Sequence, residues 1–214
     1  MMDKFQEQIE IPKWKGQQRR IAITGGIASG KSSIGTFLKK IKSLPVIDAD
    51  VISREAIAPK TSANQEIIKR YTNIILHKNS DVINRTLLAK IIFSDDKERK
   101  WLENLLHPVI KNSLLIEIDK KKNLNTIILV IPLLFEANLT KICNEIWVVN
   151  CTHKQQLERL MARDNLTQKE AYQRIKAQWP LDRKIKFADA IIDNSGQSAA
   201  WINQIEYLLE KSNS

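Results

Sequence analysis

Residues 20–33 read RIAITGGIASGKSS, a short apolar run followed by three glycines, a lysine and three serines. Within it, residues 25–32 satisfy G-x-x-x-x-G-K-[ST], and each fixed position has a physical reason. Gly25 and Gly30 can adopt backbone angles that turn successive N–H groups toward phosphate oxygens. Lys31 can reach the β- and γ-phosphates, and the Ser32 hydroxyl suits Mg²⁺. A helix starting directly after the loop would point its positive end at the same anion. The loop therefore reads as a cradle for the phosphate tail of a nucleoside triphosphate, with Gly25, Gly26, Ala28, Ser29, Gly30, Lys31, Ser32 and Ser33 as its nucleotide-binding residues.

Outward from this loop, strand-like and helical runs alternate. Strands are expected at residues 20–24, 46–47, 126–131 (TIILVI), 145–149 (EIWVV) and 190–192. Continuous apolar strands separated by helices predict an α/β fold, a parallel sheet of five strands covered on both faces. Helices are expected at 32–42, 153–163 and 198–211, with candidate capping boxes at Ser62/Gln65, Asp95/Glu98 and Thr167/Glu170. Residues 51–121 carry little strand signal, too long a stretch for a simple crossover, and read as a helical excursion between the second and third strands.

The 214 residues are 43% apolar, enough for one well-buried core with a smaller lobe. Two cysteines, Cys143 and Cys151, cannot build a disulfide framework and read as buried thiols in a reducing compartment. The longest apolar run, 127–135, is interrupted by Pro132 and falls short of the ~20 residues of a membrane span. Residues 1–19 have no apolar core of a signal peptide. They read as an extension, with Trp14 docking on the body, and the expected location is cytoplasmic, with no membrane partner. The net charge is +10, and residues 151–186 hold nine Lys or Arg against four Asp or Glu. That segment reads either as a solvated helical face or as a basic element closing over phosphates.

Several nucleotide-dependent classes lack their marks. There is no N-K-x-D guanine motif, and the D-x-x-G match at 193–196 follows the last strand. The strand TIILVI leads into PLLFE without the acid that motor ATPases carry there. What is present is VIDAD, with Asp48 and Asp50 at the end of the second strand, where an open parallel sheet holds its ligands. One carboxylate could take the proton of an attacking hydroxyl while the other orients water on Mg²⁺. Alternatively, Asp50 is the N-cap of the helix that follows. Arg159 and Arg163 are spaced i, i+4, so both can face inward to a transferring phosphoryl group or outward to solvent.

With these residues assembled, the chain resembles the dephospho-coenzyme A kinase family over about residues 20–210. The resemblance is carried by ITGGIASGKSS (23–33), VIDADVISRE (46–55), RTLLAKIIF (85–93), LENLLHPVI (102–110), IPLLFE (131–136), QLERLMAR (156–163), RIKAQ (174–178) and ADAIIDNSG (188–196). It implies a nucleotide-binding core at 20–50, 122–152 and 188–214, a helical substrate domain at 51–121 and a lid at 153–187. It implies phosphorylation of the ribose 3′-hydroxyl of dephospho-coenzyme A by ATP with Mg²⁺, in a monomer or weak homo-oligomer with no nucleic-acid partner. By motif matching, Asp50, Lys31 and Arg163 are catalytic, and Arg54, His107 and Arg159 serve the substrate. Ser32 and Asp48 serve the metal, and His107 otherwise packs or caps a helix. Ala28 and Tyr71-Thr72 stand where the family usually has Gly and Phe-Gly, and 77–81 lacks a frequent glycine. Alanine at 28 is expected to be tolerated if its backbone is not at positive φ. Alternative readings are another small P-loop kinase, or a basic nucleic-acid-binding ATPase. Against the latter, no basic strand is interleaved with aromatic residues.

Overall fold

A computed structural model of the chain describes residues 17–78, 80–196 and 199–210. The expectations for residues 1–16, Trp14 among them, and for Ser198 and Lys211 in the last helix lie outside the described residues. The strands are β1 (Arg19–Gly25), β2 (Val46–Asp48), β3 (Thr126–Val130), β4 (Glu145–Asn150) and β5 (Ala190–Asp193). The helices are α1 (Lys31–Lys40), α2 (Ala49–Ala56), α3 (Ser62–Tyr71), α4 (Arg85–Ser94), α5 (Asp96–Asp119), α6 (His153–Asp164), α7 (Gln168–Lys176), α8 (Leu181–Ile185) and α9 (Trp201–Glu210). All five strands read from the sequence form, each within one residue of its expected ends.

The chain divides into two compact units, one comprising the described residues up to Ile47 and from Ile118 onward, the other Asp48–Glu117. The first unit is built on one five-stranded sheet of order β2-β3-β1-β4-β5. β1 lies parallel to β3 and to β4, with Ile23 opposite Val130 on one side and Trp147 on the other, and β4 lies parallel to β5. These strands are almost uniformly apolar because helices cover both faces. Ile21, Ile23, Ile128 and Val149 of the sheet share one core with Ile34 and Leu38 of α1 and Trp201 and Ile205 of α9. After β1 the chain turns toward the β2 edge, and after β4 toward the β5 edge. The switch point, where such sheets open a crevice, therefore lies between the C-terminal ends of β1 and β4.

At the opposite end of the same two strands, Arg19 and Glu145 form a buried bidentate pair. Arg19 Nε and Nη2 donate to the two carboxylate oxygens at 2.7 and 3.0 Å, and the Trp147 indole donates to Oε1 at 2.6 Å. Arg19 Nη2 also reaches the Leu208 carbonyl of α9 at 3.3 Å. The pair thus ties β1, β4 and the last helix together.

The second unit is helical, with a core of its own that includes Ile67, Ile75, Ile83, Leu88, Leu102 and Leu106. A short 3₁₀ turn follows α3, and a bridge between Leu76 and Ile83 closes the next turn without the expected glycine. Thr72 adopts φ 58°, ψ −163°, a region occupied almost only by glycine. Beside it, Glu98 accepts from the Arg70 guanidinium at 2.7 and 2.6 Å and from the Tyr71 hydroxyl at 2.6 Å. These donors, Arg70 first, hold the Glu98 carboxyl down at about 2. Burial, and then the bond to Glu98, push the Tyr71 phenol up to about 12.

Several local expectations are corrected. α3 is capped by Thr61, whose hydroxyl accepts from the Asn64 N–H at 3.1 Å, rather than by a Ser62/Gln65 box. Asp95 accepts from the Lys97 N–H, but Glu98 is committed to Arg70 and Tyr71, so no box forms there. The Thr167/Glu170 box is present. His107 is not at a helix end: it sits inside α5, which runs on through Pro108 even though that residue has no N–H for the helical ladder. Cys151 is buried, whereas Cys143 is only half-buried. Among the described residues, no helix is long and apolar enough to cross a membrane.

Two stability measurements follow from these contacts. Glu145→Ala leaves the Arg19 guanidinium buried without its carboxylate and is expected to cost about 3–5 kcal/mol in denaturant unfolding. A loss below ~1 kcal/mol would show that the pair is solvated. Thr72→Gly removes a backbone cost of about 1–3 kcal/mol and adds about 0.5–1 kcal/mol of unfolded-chain freedom. The expected outcome is a higher melting temperature, and an unchanged or lower one would mean that Thr72 is unstrained.

Candidate active site

At Gly25, the last residue of β1, nothing larger fits. A Cβ there would lie 2.5 Å from the Val149 carbonyl oxygen of β4, and the backbone leaves the strand at φ 147°. The loop then crosses the switch point. Gly26 packs against the Gln156 amide of α6, and Gly30, at φ 104°, against the Asn194 amide that follows β5. Packing against backbone thus excludes a side chain at Gly25, and the positive φ favours glycine at Gly30, whereas at Gly26 the neighbour is the movable end of the Gln156 side chain. Ala28 lies at φ 59°, so the condition under which alanine was expected to be tolerated there is not met.

Lys31, only 7% exposed, turns its ammonium back onto the loop and donates to the Gly26 and Gly25 carbonyls at 2.6 and 3.3 Å. The Ser29 hydroxyl is buried with no hydrogen-bond partner among the described residues. Ser32 and Ser33 are exposed in the first turn of α1. Two side chains from distant segments brace the loop backbone. Gln178 Oε1 accepts from the Ile27 N–H at 2.9 Å, and Asn194 Nδ2 donates to the Ser29 carbonyl at 2.8 Å.

A second lysine stands behind the loop. Lys184 of α8 is completely buried, and its ammonium donates to the Pro132 carbonyl at 3.0 Å and the Gly25 carbonyl at 3.4 Å. It also pairs with Glu136 at 2.9 Å. Burial lowers its affinity for the proton, and Glu136 opposes that shift.

α6 begins with a Thr152/Gln155 capping box and buries Gln156 and Leu160. Arg159, on the same face, donates from Nη2 to the Asn194 carbonyl at 3.1 Å, while its Nη1 is buried without a hydrogen-bond partner among the described residues. Arg159 and Lys31 both act on the Cys151 thiol, which burial nonetheless pushes up. Arg163 has a different setting. Its side chain is 55% exposed, and Nε and Nη2 donate to Asp164 at 2.7 and 3.1 Å. Asp164 also accepts from Arg174 at 2.6 Å, and the bonds to Arg163 lead in holding its carboxyl below the usual range.

In the other unit, the helix cap expected of Asp50 belongs to Asp48, whose Oδ1 accepts from the Asp50 N–H at 2.8 Å. Asp50 is the second residue of α2 and exposed. Arg54 lies four residues on, hence on the same helix face, and is also exposed. His107 is half-buried within α5.

Sequence reasoning passed over Gln156, Gln178, Lys184 and Asn194. Gln178 and Asn194 lie within RIKAQ and ADAIIDNSG, so a signal existed, though no role was attached to it. Lys184 sits among exposed basic residues, and nothing in the string separates it from them.

A family model described as dephospho-CoA kinase (CoaE) matches residues 19–200. A dephospho-CoA kinase of Prochlorococcus marinus is 49% identical over 202 residues, covering 93% of this chain and 96% of that protein. One from Synechococcus sp. (strain CC9902) is 50% identical over 192 residues, covering 90% and 96%. Among solved structures, the dephospho-CoA kinase from Campylobacter jejuni superposes with a TM-score of 0.64 at 27% identity, covering 91% of this chain and 97% of that one. With this match over most of its length and the phosphate loop at the switch point of its sheet, the chain belongs to the dephospho-CoA kinase family.

Proposed function

We infer that the chain transfers the γ-phosphoryl group of ATP to the ribose 3′-hydroxyl of dephospho-coenzyme A, giving coenzyme A and ADP. One observation carries this reading: in a member of the dephospho-CoA kinase family, a glycine-shaped phosphate loop occurs together with the D-A-D-x-x-x-R pattern of residues 48–54.

In this reading the N–H groups of residues 25–33 receive the triphosphate, and Lys31 gives up the loop carbonyls for the β- and γ-phosphates. Asp50 accepts the proton of the 3′-hydroxyl as its oxygen forms the new bond to phosphorus. The bond from phosphorus to the β,γ-bridging oxygen breaks, and the electron pair leaves with ADP. Arg54 and His107 serve the acceptor within the helical segment 51–121, and residues 153–187 act as a lid. Ser32 and Asp48 offer the hydroxyl and carboxylate oxygens that suit Mg²⁺, although one Asp48 oxygen is already engaged as the helix cap. When bound, that ion would neutralise charge building up on the phosphates.

Of the two α6 arginines, we assign the phosphate-directed role to Arg159. Its buried Nη1 has no hydrogen-bond partner among the described residues, whereas Arg163 holds Asp164. A buried donor without an acceptor is costly, and a phosphate oxygen would supply one.

The first test is ADP formation from Mg-ATP with dephospho-coenzyme A, AMP, shikimate or no acceptor. One-to-one turnover with dephospho-coenzyme A alone is expected, and ADP formed with another acceptor or none overturns the assignment. Lys31→Ala should lower kcat below detection, and Asp50→Asn should lower it by about 10²–10⁴ with ATP still bound. A near-normal kcat in Asp50→Asn would remove the base from Asp50. Arg159→Ala should cost about 10³ in kcat, and Arg163→Ala less than about tenfold with a modest fall in stability. The reverse order would return the role to Arg163.

A further inference from the structure

Lysine is seldom completely buried, and where it is, the surroundings must replace the water around its ammonium. Lys184 meets this condition fully. Its three N–H donors face three acceptors: Glu136 Oε1 at 2.9 Å, Pro132 O at 3.0 Å and Gly25 O at 3.4 Å. The acceptors are themselves held in place. Glu136 Oε1 takes the Trp179 N–H at 2.8 Å. The Trp179 ring stacks on Phe135 at 5.6 Å and 7°, and the Arg183 guanidinium lies 3.4 Å from its centroid. The neighbouring Gln178 holds the Ile27 N–H. Segment 178–184 therefore grips the phosphate loop at two points, Ile27 and Gly25.

The Gly25 carbonyl is shared by two ammonium groups, Lys31 at 3.3 Å and Lys184 at 3.4 Å. When Lys31 turns to phosphate oxygens it gives up this carbonyl, which lies in a buried stretch of backbone. Without Lys184 the carbonyl would lose its donors at the moment the loop has to hold its shape. Because the peptide unit is planar and trans, a Gly25 carbonyl held toward Lys184 also points the Gly26 N–H the other way.

We propose that Lys184 is a positioning residue for phosphoryl transfer: it anchors the Gly25 carbonyl so that Lys31 can leave it, and it sets a buried positive charge against the phosphate loop. The proposal rests on the ATP-dependent reading above, but it concerns the loop and not the acceptor.

Lys184→Met alone strands the Glu136 carboxylate, so the informative variant pairs it with Glu136→Gln, which keeps an acceptor for the Trp179 N–H. Lys184→Gln is the second variant, removing the charge while retaining an amide donor. Calorimetric affinity for Mg-ATP, steady-state kinetics with dephospho-coenzyme A and the melting temperature are measured on each. In whichever variant melts cooperatively, ATP affinity and kcat should each fall at least tenfold, with KM for dephospho-coenzyme A within twofold of the parent. ATP affinity within twofold of the parent in a cooperatively melting variant overturns the proposal. So does an equal loss for ATP and acceptor, the signature of a merely structural lysine. Should the parent chain bind ATP yet fail to phosphorylate dephospho-coenzyme A, the acceptor assignment falls while the affinities still decide the role of Lys184.

Discussion

The Val149 carbonyl of β4 leaves no space for a side chain on Gly25 of β1, and much of the site depends on that contact. At the same residue the backbone leaves β1 at a positive φ, at the gap between two strands whose connections diverge. From there the loop's shape follows its neighbours. Gly26 meets Gln156, Gly30 meets Asn194, and the carbonyls of Gly25 and Gly26 turn toward ammonium groups. The glycine spacing that reads in the sequence as a phosphate motif is equally a packing solution. The Gln156 amide of α6 and the Asn194 amide after β5 rest against the loop in the space where a Cβ of residue 26 or 30 would lie.

The strands were legible because they are buried on both faces, which leaves near-continuous apolar runs such as TIILVI and EIWVV. The helical nature of much of 51–121 was legible from the lack of such runs. Helix ends were less so: Thr61 precedes Ser62, and both can cap, so the choice rested on a backbone turn that the letters do not encode. Glu98 had the spacing of a capping box but was drawn to Arg70 and Tyr71, partners supplied by α3. At the site, the residues of a local motif were readable and those arriving from afar were not. Gln178 and Asn194 reach the loop across 151 and 165 residues of chain.

Charge shows the same limit. Residues 151–186 carry an excess of five positive charges, which as a count suggests a surface for polyanions. The fold sorts these cations individually. Arg163 and Arg174 share Asp164, Lys184 is matched to Glu136, and Arg183 covers Trp179. Arg159 differs in having one guanidinium nitrogen buried and without a hydrogen-bond partner among the described residues. Phosphate recognition by this segment is therefore better argued from one guanidinium and its geometry than from net charge, because paired cations have already spent their attraction locally.

Ala28 and Thr72, neither of them glycine, lie at positive φ, where glycine is favoured. Strained conformations persist when their surroundings over-determine them, and here the neighbours do so by hydrogen bonding. The 28–29 peptide is held by the Ser29 N–H, which donates to the Gly26 carbonyl at 3.2 Å, and one unit further out on either side Gln178 holds the Ile27 N–H and Asn194 the Ser29 carbonyl. Thr72 follows Tyr71, whose hydroxyl is anchored on Glu98, a bond that phenylalanine at position 71 could not make. The Tyr71–Glu98 bond thus anchors the residue that leads into the strained Thr72 turn.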